Sequence, residues 1–255
     1  MTAEIDGHRV HWVEDRRAGT PVLYVHGVPD SSGVWAPFLA RTGGIALDLP
    51  GFGQSGKRVA FPYDIDGYAD FLEAFATHLG LDRVRLVCHD WGAVALTWAA
   101  RHPERIERLV AIDVVPFLPG YRWHAWARIW RRRGLGEFAM GITHGWMLRL
   151  ATGMPREWAA LVARHFDQGT QRAILRLYRS APPERLEAAG RDLGRIEAPA
   201  LVLWGERDPY LPVRFGEALA ERLPAGRFVA MPGLGHWPWV QDESVIDAVE
   251  EFLGS

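Results

Sequence analysis

The stretch from residue 84 to residue 100 constrains the fold of this chain more than any other segment. Its first part is a mainly apolar run that ends abruptly at Asp90, and Gly92 follows two positions later. The remainder reads as an apolar helix with no helix breaker. This pattern predicts a strand, a sharp turn and a buried helix. An acid at such a turn is presented at the C-terminal edge of a sheet, where nearby N–H groups stabilise negative charge. Asp90 is therefore a candidate nucleophile.

The residues around Asp90 allow two interpretations. Cys88 and Gly92 supply the small flanking positions of a strained turn that pushes one side chain into a site. A carboxylate that attacks carbon forms an alkyl ester, which requires a strained ring or a leaving group on that carbon. The alternative is that Asp90 only caps the helix that begins at Trp91 or Gly92. The rest of the chain has to decide between catalysis and capping.

Composition limits the class of protein. The chain has 255 residues, of which 48% are hydrophobic, enough for one large domain with an insertion. Its 29 basic and 31 acidic residues give a net charge of -2, so neither nucleic acid nor an anionic membrane is an expected partner. Cys88 is the single cysteine, and neither a signal peptide nor a membrane-length apolar run is present. We expect a soluble cytoplasmic monomer or homodimer that acts on a small neutral substrate.

Apolar runs and helical patterns alternate along much of the chain. Helical segments of ten or more residues between the strands predict parallel pairing and the α/β fold class, with helices on both faces of the sheet. The first strand, at residues 9–14, alternates as an edge strand would. The other predicted strands cover residues 21–26, 45–50, 84–90, 106–115, 200–204 and 227–231, and the clearest helices cover residues 66–79, 212–223 and 244–252.

The loop after residue 26 contributes a candidate anion-binding group. The second strand ends in His26, Gly27, Val28 and Pro29. We interpret His26 mainly as a structural residue that holds this loop, and we count it among the candidate substrate-binding residues. The backbone N–H groups of Val28 and Trp91 are predicted to form an oxyanion hole, since turns of this type draw one donor from this first loop.

A glycine-rich loop at residues 51–58 suggests nucleotide binding but lacks the required context. Gly51, Gly53 and Gly56 match a dinucleotide pattern, and the segment nearly matches a phosphate-binding loop. A phosphate loop needs Ser or Thr after its Lys, whereas this chain has Arg58. Both motifs must open a helix, and Pro62 disfavours one. A tight turn beside the active site is the preferred interpretation.

Residues 116–193 differ in character from the rest. Strand-like runs disappear, and helical segments rich in Trp and Arg replace them. We interpret residues 116–193 as a helical lid inserted into a core domain of residues 1–115 and 194–255. Trp123, Trp126, Ile129 and Trp130 fall on one helical stripe, with arginines largely elsewhere.

Two further residues follow strands on the same side of the sheet as Asp90. Asp208 comes shortly after the strand at residues 200–204, and His236 follows the strand at residues 227–231. A nucleophile, an acid and a histidine in this chain order form the arrangement of α/β-hydrolases. Together they favour catalysis over capping at Asp90.

With these motifs the chain resembles the α/β-hydrolases that use an aspartate nucleophile, which include epoxide hydrolases, haloalkane dehalogenases and fluoroacetate dehalogenases. The resemblance covers nearly the whole chain. It implies that Asp90 attacks carbon and that His236, oriented by an acid, activates the water that hydrolyses the ester. The matching segments are residues 26–29, 48–55, 89–92, 205–208 and 235–237.

Departures from the family patterns bear on the substrate. Many haloalkane dehalogenases have Asn where this chain has Val28, and fluoroacetate dehalogenases have Arg where it has Trp91. Epoxide hydrolases use two lid tyrosines to protonate the ring oxygen. Tyr178 resembles the second of these, and counting back from Gly134 places Trp126 at the position of the first. An indole N–H donates a hydrogen bond but does not give up its proton as a phenol does.

The acid that orients His236 has two candidates. Asp208 matches the family pattern in its loop, and Asp113, near the end of another strand, is the second choice. The resulting prediction is hydrolysis of a small apolar epoxide to a diol, with Tyr178 as the acid and with Trp91 and Trp126 lining the pocket. Haloalkane dehalogenation is the alternative, and neither reaction needs a metal or cofactor. A ligand-binding module without activity is the rival from another class.

Overall fold

One sheet organises the protein, which is described by a computed structural model for residues 1–143 and 156–254. In this part of the chain the sheet has eight strands in the order β1-β2-β4-β3-β5-β6-β7-β8. The strands are β1 (Thr2–Ile5), β2 (His8–Asp15), β3 (Val22–Val25), β4 (Gly44–Leu47), β5 (Val84–Asp90), β6 (Ile106–Val114), β7 (Ala200–Gly205) and β8 (Gly226–Met231).

The strand pairing confirms the α/β class and the mostly parallel sheet. Strands β3 to β8 pair in parallel, whereas β1 and β2 are antiparallel to their neighbours. The strand predicted at residues 9–14 is present as β2, but its predicted position at the edge of the sheet is wrong. Strand β1 pairs on the outer side of β2, with Thr2 opposite His11. The four residues of β1 are too few to give a detectable alternating pattern.

Helices cover both faces of the sheet. They are α1 (Ala36–Thr42), α2 (Ile65–His78), α3 (Val94–Arg101), α4 (Ala125–Trp130), α5 (Leu135–Ile142), α6 (Arg156–Ala163), α7 (Gln168–Ser180), α8 (Pro183–Ala189), α9 (Arg214–Arg222), α10 (Pro238–Gln241) and α11 (Ser244–Gly254). None of the helices within residues 1–143 and 156–254 is long and apolar enough to cross a bilayer.

The buried side chains form two clusters, because successive residues of a strand point to opposite faces. Leu86 and Cys88 of β5 belong to the cluster that includes residues of α2, α3 and α9. Val87 belongs to the other cluster, with residues of α1 and α11. Strand β5 is therefore buried on both sides, which fixes the position of Asp90 at its end.

Helices α4 to α8 lie in the chain between β6 and β7, within the predicted insertion at residues 116–193. The described residues of this insertion contain no strand. Residues 144–155, which fall inside the predicted lid, lie outside the described part of the chain. Helix α7 buries Ile174, Leu177 and Tyr178 against the cluster that holds Leu86.

Candidate active site

Asp90 occupies a strained turn between β5 and α3. Its backbone has φ 50 and ψ -120, a conformation that residues other than glycine rarely adopt. The turn is closely packed, since a Cβ atom at Gly92 would lie 2.2 Å from the Val25 carbonyl oxygen. A Cβ atom at Gly27 would lie 2.3 Å from Cβ of Asp90. Glycine at these two positions lets the β3 loop approach the turn.

Two backbone N–H groups donate to the Asp90 carboxylate. The nitrogen of Val28 lies 2.7 Å from Oδ1, and the N–H of Trp91 is the second donor. Burial raises the pKa of Asp90, whereas the charge of His236 and these two donors oppose the rise. The arrangement can stabilise a negative oxygen at the position of Oδ1.

His236 lies between Asp90 and Asp208. Its Nδ1 is 2.7 Å from Oδ2 of Asp208, and its Nε2 is 3.6 Å from Oδ2 of Asp90. The other oxygen of Asp208 accepts hydrogen bonds from the backbone N–H groups of Tyr210, at 2.7 Å, and Leu211, at 3.0 Å. The imidazole is therefore oriented by Asp208 and faces the oxygen of Asp90 that is turned away from Val28.

The charges around His236 determine its protonation. Burial lowers the pKa of His236, but the charge and hydrogen bond of Asp208, followed by the charge of Asp90, outweigh burial and raise the pKa to about 9. As long as Asp90 is ionised, the imidazole is charged near neutral pH. Removal of the negative charge on Asp90 lowers this pKa and prepares His236 to accept a proton.

Asp113, the second candidate acid, lies beside this group without a hydrogen bond to His236. Its side chain is completely buried near the end of β6, and Oδ1 accepts the backbone N–H of Gly205 at 2.9 Å. Between the two acids predicted from the sequence, the structure places Asp208 on the imidazole.

Aromatic rings form a wall over the turn. The ring of Trp91 contacts the ring of Trp123, at 5.4 Å between centroids, and the ring of Tyr178, at 5.2 Å, and these two rings also contact each other at 4.9 Å. Trp123 donates its indole N–H to the carbonyl of Ala181 at 2.8 Å. The indole N–H of Trp91 makes no hydrogen bond of normal geometry among the residues that the structure describes, although the side chain of Tyr178 lies close enough to interact with it.

Trp126 does not occupy the place that the sequence predicted. Its side chain is 44% exposed, whereas Trp123, three positions earlier, is 6% exposed and packs on both Trp91 and Tyr178. Counting back from Gly134 does not show that Trp123 packs on the nucleophile turn, because Trp123 precedes α4 and its contacts depend on how the insertion folds onto the core.

His26 has a structural environment rather than a place for substrate contact. It is fully buried, its Nδ1 donates to the carbonyl of Gly27 at 2.6 Å, and its Nε2 accepts the N–H of Leu49 at 3.0 Å. Both ring nitrogens are used, and burial lowers the pKa of His26. These contacts fit its predicted structural role, and its contact with substrate stays a prediction.

Three further side chains of the site were missed from the sequence. Tyr121 is buried, and its hydroxyl has no partner in the described part of the chain. His124 caps α4 through Nδ1, its ring meets the ring of Tyr210 edge to face at 5.1 Å between centroids, and burial lowers its pKa to about 4. The ring of Tyr210 lies 5.2 Å from that of His236. Tyr210 stands two positions after Asp208, and this proximity is the signal that could have found it.

Asp30 and His89 form a buried pair next to the nucleophile turn. Asp30 accepts the indole N–H of Trp237 at 3.2 Å, and its Oδ2 is 3.8 Å from Nδ1 of His89. His89 donates from Nε2 to the carbonyl of His236 at 2.8 Å. Burial, followed by the nearby charge of Asp90, raises the pKa of Asp30 to about 7. The segment that carries His236 is thereby tied to β5.

The glycine loop at residues 51–58 has the structure of a turn that contacts the insertion. The next α-helix after it begins at Ile65, so the loop does not open a helix as a nucleotide motif requires. A Cβ atom at Gly53 would lie 2.3 Å from the carboxyl group of Asp48. Asp48 in turn accepts from the backbone N–H groups of Ser32 and Gln54, so the glycines serve close packing.

Metal-ligating side chains do not assemble into a site. Within residues 1–143 and 156–254, no group of three or more His, Cys, Asp or Glu side chains is arranged to hold a metal ion. The chemistry of the described site is that of a carboxylate, an imidazole, N–H donors and phenols.

Comparisons with known proteins identify the family and agree with the fold. The sequence model of the alpha/beta hydrolase family matches residues 22–248. A haloalkane dehalogenase of Mycobacterium marinum is 30% identical over 274 residues, which cover 96% of this chain and 88% of that protein. The haloalkane dehalogenase DbeA from Bradyrhizobium elkani has a similar fold, with a TM-score of 0.86 at 24% identity over 100% of this chain and 97% of the other. An epoxide hydrolase of Bacillus megaterium, solved with an inhibitor, gives a TM-score of 0.83 at 22% identity over 100% of both chains.

Proposed function

Because this chain belongs to the alpha/beta hydrolase family, we propose that it converts a small apolar epoxide to a diol through a covalent ester on Asp90. The carboxylate at the strained turn supplies a nucleophile that forms alkyl esters. Its two oxygens have different surroundings, since Oδ1 accepts the N–H of Val28 and Oδ2 faces His236. Oδ2 is therefore the attacking oxygen.

The phenol of Tyr178 is the observation that favours an epoxide. Its side chain is 4% exposed, and its ring packs against Trp91 and Trp123. Burial, followed by the negative charge of Asp90, raises its pKa well above the ordinary value, so the phenol keeps its proton until an alkoxide forms beside it. An opening epoxide leaves an alkoxide that must gain a proton. A departing halide is already stable as an anion and needs no proton.

The first half-reaction uses Asp90 and Tyr178. Oδ2 of Asp90 forms a bond to one ring carbon while the bond between that carbon and the epoxide oxygen breaks. The phenol of Tyr178 transfers its proton to this oxygen, which becomes the first hydroxyl group of the diol. Asp90 is then a neutral ester whose carbonyl oxygen, Oδ1, remains beside the N–H groups of Val28 and Trp91.

The second half-reaction uses His236 and Asp208. Esterification removes the charge of Asp90, which lowers the pKa of His236 and allows the neutral imidazole to take a proton from water. The hydroxide attacks the ester carbonyl, and the negative charge that develops on Oδ1 is stabilised by the two backbone N–H groups. Asp208 holds the imidazole and stabilises its charge. When the tetrahedral intermediate collapses, the bond between the carbonyl carbon and Oδ2 breaks, and the leaving oxygen takes the remaining proton of the former water, which completes the diol and restores the Asp90 carboxylate. His236 is again charged, and the proton that it released to solvent after esterification is replaced by one that solvent returns to the phenolate of Tyr178.

The helical insertion at residues 116–193 is proposed to act as a lid on the core of residues 1–115 and 194–255. Trp123 and Tyr178 come from this insertion and cover Trp91 at the nucleophile turn. A water-poor cover strengthens the electrostatic interactions on which both half-reactions depend. The apolar rings favour an apolar substrate.

Haloalkane dehalogenation is the second candidate. The indole N–H of Trp91 is buried and makes no hydrogen bond of normal geometry in the described residues, although Tyr178 lies close to it, so this N–H can stabilise a halide. The second indole that this reaction would use is not provided by Trp123, whose N–H donates to Ala181, or by the exposed Trp126. The curated relative of Mycobacterium marinum is named a haloalkane dehalogenase. The unpartnered N–H of Trp91 is the observation that favours this candidate.

A single turnover in ¹⁸O-water with a panel of epoxides and haloalkanes tests both candidates. We expect an epoxide to give unlabelled diol in the first turnover and to place the label in Asp90, because water attacks the ester carbonyl. Tyr178→Phe should slow alkylation by epoxides at least a hundredfold, with Phe138→Leu, at a 67% exposed position of the same insertion, as the control. Label that appears directly in the product would refute the covalent route. Turnover of haloalkanes alone, with Tyr178→Phe unaffected, would establish the second candidate.

A further inference from the structure

Asp113 has an environment that an ionised carboxylate does not fit. It is completely buried near the end of β6, and its φ of 41 is strained for a residue other than glycine. Oδ1 accepts the N–H of Gly205, whereas Oδ2 has no donor in the described part of the chain. A buried charged oxygen without a donor is energetically costly. The groups around Asp113 therefore have to account for the protonation state of its carboxyl group.

The titratable neighbours of Asp113 are Asp208, on the loop after β7, and His236, on the loop after β8. The Asp208 carboxyl group lies beside Asp113, as a neighbouring charge and within reach of a hydrogen bond to the unpartnered oxygen. Two carboxylates form such a hydrogen bond only when one of them carries a proton, because ionised carboxylates are acceptors without a donor. One proton therefore has to lie between Asp113 and Asp208.

The hydrogen bonds decide which acid carries the proton. Asp208 accepts from the N–H groups of Tyr210 and Leu211 and from Nδ1 of His236. Asp113 accepts from Gly205 alone. Three donors, one of them on a charged imidazole, stabilise the ionised form of Asp208 more than one donor stabilises that of Asp113. Burial, followed by the charge of Asp208, raises the pKa of Asp113, which also favours the proton on Asp113.

We propose that Asp113 is a neutral carboxylic acid that donates its proton in a hydrogen bond to Asp208 and thereby positions the acid that orients His236. Asp113 is a positioning residue, since it acts through Asp208. The inference rests on the roles of Asp208 and His236 in the proposed function. A neutral donor holds the Asp208 carboxylate without adding a second negative charge beside the imidazole. It stabilises the bare carboxylate most when His236 is neutral, which is the form needed to activate water.

Two substitutions separate a neutral donor from a second charge. Asp113→Asn keeps an acceptor for Gly205 and provides an N–H donor for Asp208, whereas Asp113→Leu has the same branching and offers no donor. The pKa of His236 is measured by NMR titration of the protein labelled with ¹⁵N-histidine, without substrate. We expect the Asn variant to resemble the wild type and the Leu variant to bind the His236 proton about tenfold more tightly, because Asp208 loses a donor. Equal values in the two variants, or a lower pKa in both, would overturn the proposal.

Infrared spectroscopy provides a second measurement that does not depend on the Leu variant folding. A protonated carboxylic acid has a carbonyl stretch that an ionised carboxylate lacks. At a pH above about 8 the wild type should retain this band, and Asp113→Asn should remove it. Asp30, whose pKa is about 7, is the other buried acid expected to hold a proton near neutrality, so Asp30→Asn is the control that must keep the band. A wild type without the band would refute a neutral Asp113. Neither measurement uses a substrate, so their outcome is separate from whether epoxides are hydrolysed.

Discussion

His236 is the residue at which the two half-reactions separate. Alkylation of Asp90 needs no base, whereas hydrolysis of the ester needs a neutral imidazole to take a proton from water. His236→Gln should therefore form the ester and stall at least a hundredfold in its hydrolysis. Intact-protein mass spectrometry should detect the mass of one substrate added to the chain. His78→Gln, at an exposed position on α2, is the control and should turn over normally.

An absence of adduct in His236→Gln, with a substrate that the wild type consumes, would contradict this assignment. The same experiment reports on Asp208. Asp208 fixes the tautomer of His236 through the hydrogen bond between Nδ1 and Oδ2, which is 2.7 Å long. Without this bond the imidazole is a poor base, so Asp208→Asn should accumulate the same adduct.

Asp30 should make stability depend on pH. Burial, followed by the charge of Asp90, raises its pKa to about 7, whereas an unfolded Asp titrates near about 4. The folded state holds this proton more tightly, so its contribution to stability is complete below about pH 4 and is lost as the pH rises to about 7. Asp30→Asn should remove this loss and raise the free energy of unfolding at about pH 8 by a few kcal/mol, about 4 at most.

Urea denaturation at about pH 5 and about pH 8 measures this difference. Asp82→Asn changes an exposed acid and is the matched control, with no expected effect on the pH dependence. A pH dependence of Asp30→Asn identical to that of the wild type would show that Asp30 is ionised in the folded protein throughout this range.

At the scale of elements, the insertion is joined to the nucleophile turn through Trp123. The Trp123 side chain precedes α4, donates to the carbonyl of Ala181 just after α7, and stacks on Trp91, which follows Asp90 in the nucleophile turn. Trp123→Phe keeps an aromatic ring but removes the hydrogen bond, which should cost about 1 to 2 kcal/mol of stability. The alkylation rate should fall as well, because Trp91 and Tyr178 lose their fixed neighbour.

Trp126→Phe is the matched control, since Trp126 lies three residues away and is 44% exposed. Thermal unfolding and single-turnover alkylation of the two variants give the comparison. Equal losses of stability and alkylation rate in both variants, or losses confined to Trp126→Phe, would favour Trp126, the tryptophan that the sequence alone selected.

At the scale of the whole molecule, the glycine loop holds the insertion on the core. Lys57, the single lysine of the sequence, donates to the carbonyl of His165 at 2.9 Å and to Asp167 at 2.8 Å. Thr170 donates to the carbonyl of Gly51 at 3.0 Å, and Arg172 donates to the carbonyl of Lys57 at 2.7 Å. The loop that resembles a phosphate site in sequence thus binds the start of α7.

Lys57→Met should lower the stability of this contact by about 1 kcal/mol, since the ion pair is partly exposed. Hydrogen exchange should become faster in the first turns of α7 and stay unchanged in β5. Lys57→Arg keeps a charged donor and is the conservative control. Faster exchange throughout the sheet would show that the loop stabilises the core itself rather than its contact with the insertion.

The sequence by itself determined the α/β fold and most strand positions. Strands such as β5 and β7 are buried on both faces, so their apolar runs are visible without knowledge of their partners. Asp90, Asp208 and His236 could be selected because each follows a strand, and the carboxyl ends of parallel strands meet at one edge of the sheet. The position of β1 escaped prediction because four residues give too short a pattern.

Only the tertiary structure decided which side chains meet at the site. The choice of Trp123 over Trp126, and the places of Tyr121 and Tyr210, depend on how a loop and a helix rotate against the core, and periodicity along the chain does not specify that rotation. The choice of Asp208 over Asp113 depends on which carboxylate has N–H donors and reaches His236. The protonation of Asp30, Asp113 and His236 depends on burial and on neighbouring charges that residues distant in sequence bring together.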